Sequence, residues 1–210
     1  MPKLIDHAQR RRLIVNAAWS VVAEDGAAAL TVRRVAEAAR IVPGSLRYIF
    51  ETQESLLDAV ADELVQRVRT AVAAGASRYP RQQDLPLRML ALVPLMTDDV
   101  QRWRVEHALY VGASRHPRLD EDIAQCRNAR RAECATIIRN LHIGIDVPQR
   151  HVDAEVLRAL ALVEGLSHLA AQGGASRIEA HEAQVIVRRH LLDVQTLLRQ
   201  REASAPHRTR

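Results

Sequence analysis

The chain has 210 residues, 48% of them hydrophobic and only 3% aromatic, with eight glycines, eight prolines and a formal net charge of +5. That length supports a substantial core of Leu, Val, Ile and Ala, and the scarcity of glycine and proline argues against a turn-rich sheet protein. Residues 1–50 carry eight basic and four acidic side chains while residues 51–200 carry 19 and 20, so the positive excess sits on an N-terminal module, as in a polyanion-binding part joined to a neutral body.

Apolar spacing predicts helices almost throughout, hence an all-α fold. Leu13, Ile14, Ala17, Ala18, Val21 and Val22 form a stripe over residues 6–23, closed by Asp25-Gly26. Thr31 is the expected N-cap of a helix over 32–39. Pro43-Gly44 then punctuates the chain before a stub, Ser45–Phe50, too short to be stable alone. Thr52 is expected to cap a long helix running toward Ser77, with residues 79–84 as a linker. Five more helices are expected at 85–96, 99–115, 118–141, 149–172 and 177–200, about nine in all, before a disordered basic tail at 201–210. Cys126 and Cys134, about 12 Å apart along one helix, are too far apart to bridge and suit a reducing compartment. No signal-peptide core or run of about 18 apolar residues occurs, so a cytoplasmic protein with no membrane partner is expected.

The stub makes sense as the second half of a helix-turn-helix. Arg47 carries a two-pronged donor suited to guanine O6 and N7, and Tyr48 suits a phosphate. Pro43, Gly44 and Ser45 allow close approach at the helix start, where backbone N–H groups face anions. Thr31 and Gln53, each opening a flanking helix, would clamp phosphates on either side.

The run "LTVRRVAEAARIVPGSLRYIFETQESLLDAV", Leu30–Val60, resembles the DNA-binding domain of the TetR/AcrR family of bacterial regulators. The remainder resembles more loosely that family's ligand-binding domains, in the BetI-like branch. The resemblance implies a helix-turn-helix domain at 1–51 contacting DNA through Thr31, Arg33, Val42, Pro43, Gly44, Ser45, Arg47, Tyr48 and Gln53, and a ligand-binding and dimerisation domain at 52–200. It implies a repressor released from a pseudo-palindromic operator when an effector moves the long fourth helix. Three positions depart from the family pattern: Arg40 replaces the usual turn glycine, Val42 a serine or threonine, and Ile49 a histidine or tyrosine. A left-handed Arg40 would cost on the order of 1 kcal/mol.

In the second domain Trp103, His107, Tyr110 and Ser114 share a helix face with Glu106 beside it, either a ligand-binding face or core packing. Glu164 and His168, four apart, interrupt an apolar stretch, either as a mutually satisfied pair or as part of that pocket. Val156, Leu160 and Val163 on one helix and Val187, Leu191, Val194 and Leu198 on the next make stripes read as a four-helix interface between two identical subunits, with Gly165, Ser167 and Ala171 permitting close approach. A regulator whose second domain only dimerises is the alternative. Enzyme signatures are absent: "HEAQVIVRRH" spaces its histidines nine apart where a helical zinc pair needs four, Lys3 is the only lysine, and Gly173-Gly174 reads as a helix terminator. No metal or cofactor is expected.

Overall fold

The computed structural model describes residues 7–95, 97–113, 116–141, 143–144, 147–172 and 176–203, and among these all regular structure is helical. Among the described residues nine α-helices follow in order: α1 His7–Asp25, α2 Val32–Ala38, α3 Pro43–Ile49, α4 Gln53–Arg78, α5 Leu85–Leu90, α6 Thr97–Ala113, α7 Pro117–Leu141, α8 Gln149–Ala171 and α9 Ala180–Ala203. Single 3-10 turns lie at Ala27–Ala29 and Gln82–Asp84. No helix among the described residues is long and apolar enough to cross a membrane.

Two compact units divide the chain, one of Met1–Val68 and Gln101–Cys126, the other of Arg69–Val100 and Arg127–Arg210. A boundary after residue 51 therefore differs from the packing, because the first half of α4 buries Leu56, Val60, Leu64 and Val68 within the first unit. The core of that unit is completed by Ile14, Ala18, Trp19 and Val22 of α1, Leu30, Val35 and Ala36 around α2, and Leu46 and Phe50 at α3. Trp19 lies under the Arg67 guanidinium at 4.1 Å, and Arg67 also reaches Glu63 Oε1 at 2.7 Å and Asn16 Oδ1 at 3.1 Å. This one side chain ties α4 to α1.

The second unit has one continuous apolar core drawn from α5, α7, α8 and α9, including Met89, Ile137, Ile138, Ala159, Val187 and Leu198. Two ion pairs sit at its edge: Arg88 donates to Glu133 through Nε and Nη2, and Arg130 Nε donates to Glu164 Oε1 at 2.9 Å.

Helix ends follow local chemistry. Gly26, at φ 84°, closes α1, its N–H donating to Val22 O at 3.0 Å. α5 stops at Leu90 rather than 96: Leu92 and Val93 bond back three residues instead of four, ahead of Pro94, before which helical geometry is disfavoured. α6 starts at Thr97, two residues earlier than expected. α9 begins at Ala180, where Glu182 Oε2 reaches back to the Glu179 N–H at 2.9 Å in half of a capping box. It runs on to Ala203, so Arg201, expected in the tail, is helical and bonds His151 Nδ1 at 2.6 Å. Residues 204–210 of the expected tail, Ser114 and Gly173-Gly174 lie outside the described residues.

Candidate nucleic-acid interface

α2 and α3 are each seven residues long, and each is held by its ends more than by its length. Thr31 Oγ1 accepts the Arg34 N–H at 3.3 Å, capping α2 as the sequence suggested. At the other end the Ile41 N–H donates to Ala36 O and the Arg40 N–H to Glu37 O, both at 3.0 Å. That is a Schellman closure, and Arg40 occupies its left-handed position at φ 55°, the one non-glycine residue of positive φ among those described. The arginine thus keeps the backbone that a glycine would take.

α3 starts with Pro43 at its first turn, where a missing N–H costs nothing, and the Ser45 N–H returns to Val42 O at 3.0 Å. Leu46 is fully buried and Phe50, four residues on, is 2% exposed, so this face anchors the helix. The opposite face is left to solvent: Pro43, Gly44, Arg47 and Tyr48 are exposed, Tyr48 by 79%, and Val42 stands exposed at the N-cap. Ile49 and Ser45 are half-buried. Gln53 is the first residue of α4 and is exposed; behind it, Thr52 Oγ1 accepts the Ser55 N–H at 3.0 Å and Ser55 Oγ accepts the Thr52 N–H at 3.4 Å. Thr31 and Arg33 are exposed at the start of α2.

Charge is distributed to match. Arg34 is committed to Asp25, at 2.9 and 3.1 Å, and this pairing raises the pKa of its guanidinium. Arg118 is likewise held by Asp58 and Asp62 at 3.2–3.4 Å. Arg33, Arg40 and Arg47 have no carboxylate partner among the described residues, so their charge stays open to an external anion. His7, whose ring centroid lies 5.8 Å from that of Tyr48, and Arg11, over the Phe50 ring at 4.7 Å, bring α1 to the same end of α3. Sequence reasoning missed both, although the run Arg10-Arg11-Arg12 was visible.

The expected ligand residues do not converge. α6 turns Val105, Glu106 and Leu109 inward, so Glu106 is buried and Trp103 half-buried, while His107 and Tyr110 are exposed. Glu164 accepts from Arg130 Nε at 2.9 Å, and His168 Nε2 meets Gln172 Nε2 at 2.8 Å. None of the six lines the groove of about 890 Å³ in the second unit, which is formed by residues 81–87, Leu141 and the Arg188–Gln195 stretch of α9.

The residues expected at a dimer interface are buried in the chain's own packing. Val156, Leu160, Val163, Val187, Leu191, Val194 and Leu198 are each at most 7% exposed and belong to the core of one chain. What α8 and α9 leave uncovered is a different set: Leu157, Leu169, Val185, Ile186 and Leu192. Ala161 and Gly165 are exposed too, and together with Leu157 and Leu169 they form a ridge at four-residue spacing along α8. A side chain built at Gly165 would meet nothing within 4 Å.

Comparison with known proteins agrees with this geometry. A family model described as "Bacterial regulatory proteins, tetR family" matches residues 14–60. The chain is 31% identical over 175 residues to the HTH-type transcriptional regulator PksA of Bacillus subtilis, covering 80% of this chain and 81% of that one. It is 31% identical over 101 residues to the HTH-type transcriptional regulator BetI of Cronobacter sakazakii, 48% of this chain and 50% of the relative. A TetR-family regulator structure from Rhodococcus sp. superposes with a TM-score of 0.68 at 24% identity, over 89% of this chain and 99% of that one. A transcriptional regulator from Saccharomonospora viridis, solved in complex with choline, superposes at 0.76 with 15% identity, over 88% and 96%. These last two likenesses concern the fold.

Proposed function

The chain belongs to the TetR family of DNA-binding transcriptional regulators, as its relatives PksA and BetI are named, and from that premise we propose that it is a repressor acting as a homodimer on a pseudo-palindromic operator and released by a small molecule. The observation that carries the DNA part is the outward face of α3: Arg47 and Tyr48 stand exposed on a helix anchored from behind by Leu46 and Phe50. Arg47 reads a guanine edge in the major groove, and Tyr48, Thr31, Arg33 and Gln53 hold phosphates on either side. Val42, Pro43, Gly44 and Ser45 let the start of α3 approach the groove closely. Replacing the family's hydroxyl with Val42 leaves one phosphate contact fewer.

The dimer is supported by the uncovered ridge Leu157–Ala161–Gly165–Leu169 of α8 and by Val185, Ile186 and Leu192 of α9. Apolar residues of this size and spacing suit a two-fold helical interface, with Gly165 allowing close approach. Leu157→Glu with Leu192→Glu gives monomers in sedimentation that retain helical content and lose tight operator binding. A wild-type chain that is monomeric at micromolar concentration refutes the dimer. Leu191→Glu, by contrast, puts a charge in the core and unfolds the chain.

The effector part rests on Trp103 and Glu106, a half-buried indole and a buried carboxylate on one stretch of α6, which together suit a small cation. The choline in complex with the Saccharomonospora viridis protein is a cation of that chemical class. An effector with a tenfold preference for the released dimer supplies about 1.4 kcal/mol of coupling. Screening quaternary ammonium compounds for operator release, with Trp103→Ala and Glu106→Gln as controls, tests this part. Release that is equal in the wild type and both variants places the site elsewhere. The exposure of His107 and Tyr110 favours the second reading, in which the C-terminal helices only dimerise.

A further inference from the structure

We propose that α1 is a further DNA-contacting element, with Arg11 supplying a phosphate contact beside the C-terminal end of α3. His7 and Arg11 are one turn apart and share a face of α1. His7 packs its ring 5.8 Å from Tyr48 at a 58° tilt, and Arg11 places its guanidinium carbon 4.7 Å from the centre of the Phe50 ring. This face of α1 therefore lies along the last turn of α3, where Arg47 and Tyr48 meet solvent.

A guanidinium stacked on an aromatic face spends its flat side on the ring and keeps its in-plane N–H groups for another acceptor. No carboxylate of the described residues takes them. Arg34, Arg67 and Arg118 of the same unit are each paired with an acid, whereas Arg11 is exposed and lies over the Phe50 ring, with no acid partner among the described residues. An arginine ordered in advance, next to the groove-facing helix and without an anion of its own, suits a phosphate oxygen.

This inference rests on the reading of α3 as the groove-facing helix, and the test separates the two. A duplex selected from a random pool by the full-length protein and a scrambled duplex are titrated across a range of salt with wild type, Arg11→Leu, Arg11→Lys and Arg47→Ala. Arg11→Leu keeps an apolar stem over Phe50 and removes the charge. It is expected to weaken both duplexes by the same factor and to flatten the slope of log K against log salt by about 0.9 per subunit. Arg11→Lys is expected to keep the wild-type slope. An unchanged slope in Arg11→Leu overturns the proposal, whether or not affinity falls, because a purely structural role would not alter the number of phosphates neutralised. The reading of α3 itself fails on a different readout: Arg47→Ala preserving the full preference for the selected duplex over the scrambled one.

Discussion

Arg40 offers a sharp test of the backbone at the centre of the DNA-binding unit. It closes α2 at φ 55°, with its own N–H on Glu37 O and the next on Ala36 O. A side chain in this left-handed region costs roughly 1–2 kcal/mol because Cβ crowds the following carbonyl, a cost glycine avoids. Glycine gives part of this back, about 0.4–1 kcal/mol, through the greater freedom of the unfolded chain. Arg40→Gly should therefore be more stable than wild type by about 0.5–1 kcal/mol, or about 1–4 °C in melting temperature for a chain of this size. Arg40→Ala keeps the strain and should show no such gain, and Arg40→Val should be the least stable of the series, since β-branched residues tolerate positive φ worst. Urea denaturation at one fixed protein concentration measures all four, which removes any contribution from association. Equal stability of the glycine and alanine variants would mean that residue 40 is not left-handed in solution, and the Schellman closure would fall with it.

Glu133→Gln leaves the Arg88 guanidinium inside the second unit without its charge partner, and urea denaturation should show a loss of about 3 kcal/mol. Asp122 is buried, with Oδ2 lacking a hydrogen-bond partner among the described residues, and burial, followed by the charge of Asp62, raises its pKa. The folded state then holds that proton more tightly than the unfolded state, so the buried charge destabilises the protein above the raised pKa and the penalty fades as pH falls through it. Asp122→Asn should accordingly be stabilising at pH 7, with a gain that shrinks on acidification; a gain independent of pH contradicts the assignment. Burial, with Glu133 adding to it, pushes the Cys134 thiol up to about 12, so in a Cys126→Ser background it should resist alkylation at pH 8 until the chain is unfolded.

The helices were legible because their apolar spacing is regular, and the capping residues Thr31 and Thr52 and the stop at Asp25-Gly26 are local signals that tertiary context did not override. The strained Arg40 was legible only through family resemblance, since nothing in the residue itself announces a positive φ. The partner of each helix face was not legible. α8 and α9 carry apolar residues on more than one side, and periodicity cannot tell which side the same chain covers: Leu160 and Leu191 are buried while Leu157 and Leu192 are exposed. Glu164 and His168 have the spacing of a helical pair, yet Arg130, 34 residues away, takes the carboxylate in a charge-assisted bond that no local pattern encodes. The contact of α1 with α3 was hidden for the same reason: it joins His7 and Arg11 to residues some 40 positions on.

The central claim is that α3 reads DNA through Arg47, and base-pair substitution in a selected operator tests it most directly. Affinities of wild type and Arg47→Ala are measured for the operator and for every single-base variant of one half-site. A bidentate guanine contact predicts that wild type loses about 1–3 kcal/mol at one guanine, and that Arg47→Ala no longer distinguishes the four bases there while its preferences elsewhere persist. Identical base preferences in the two proteins would contradict the account.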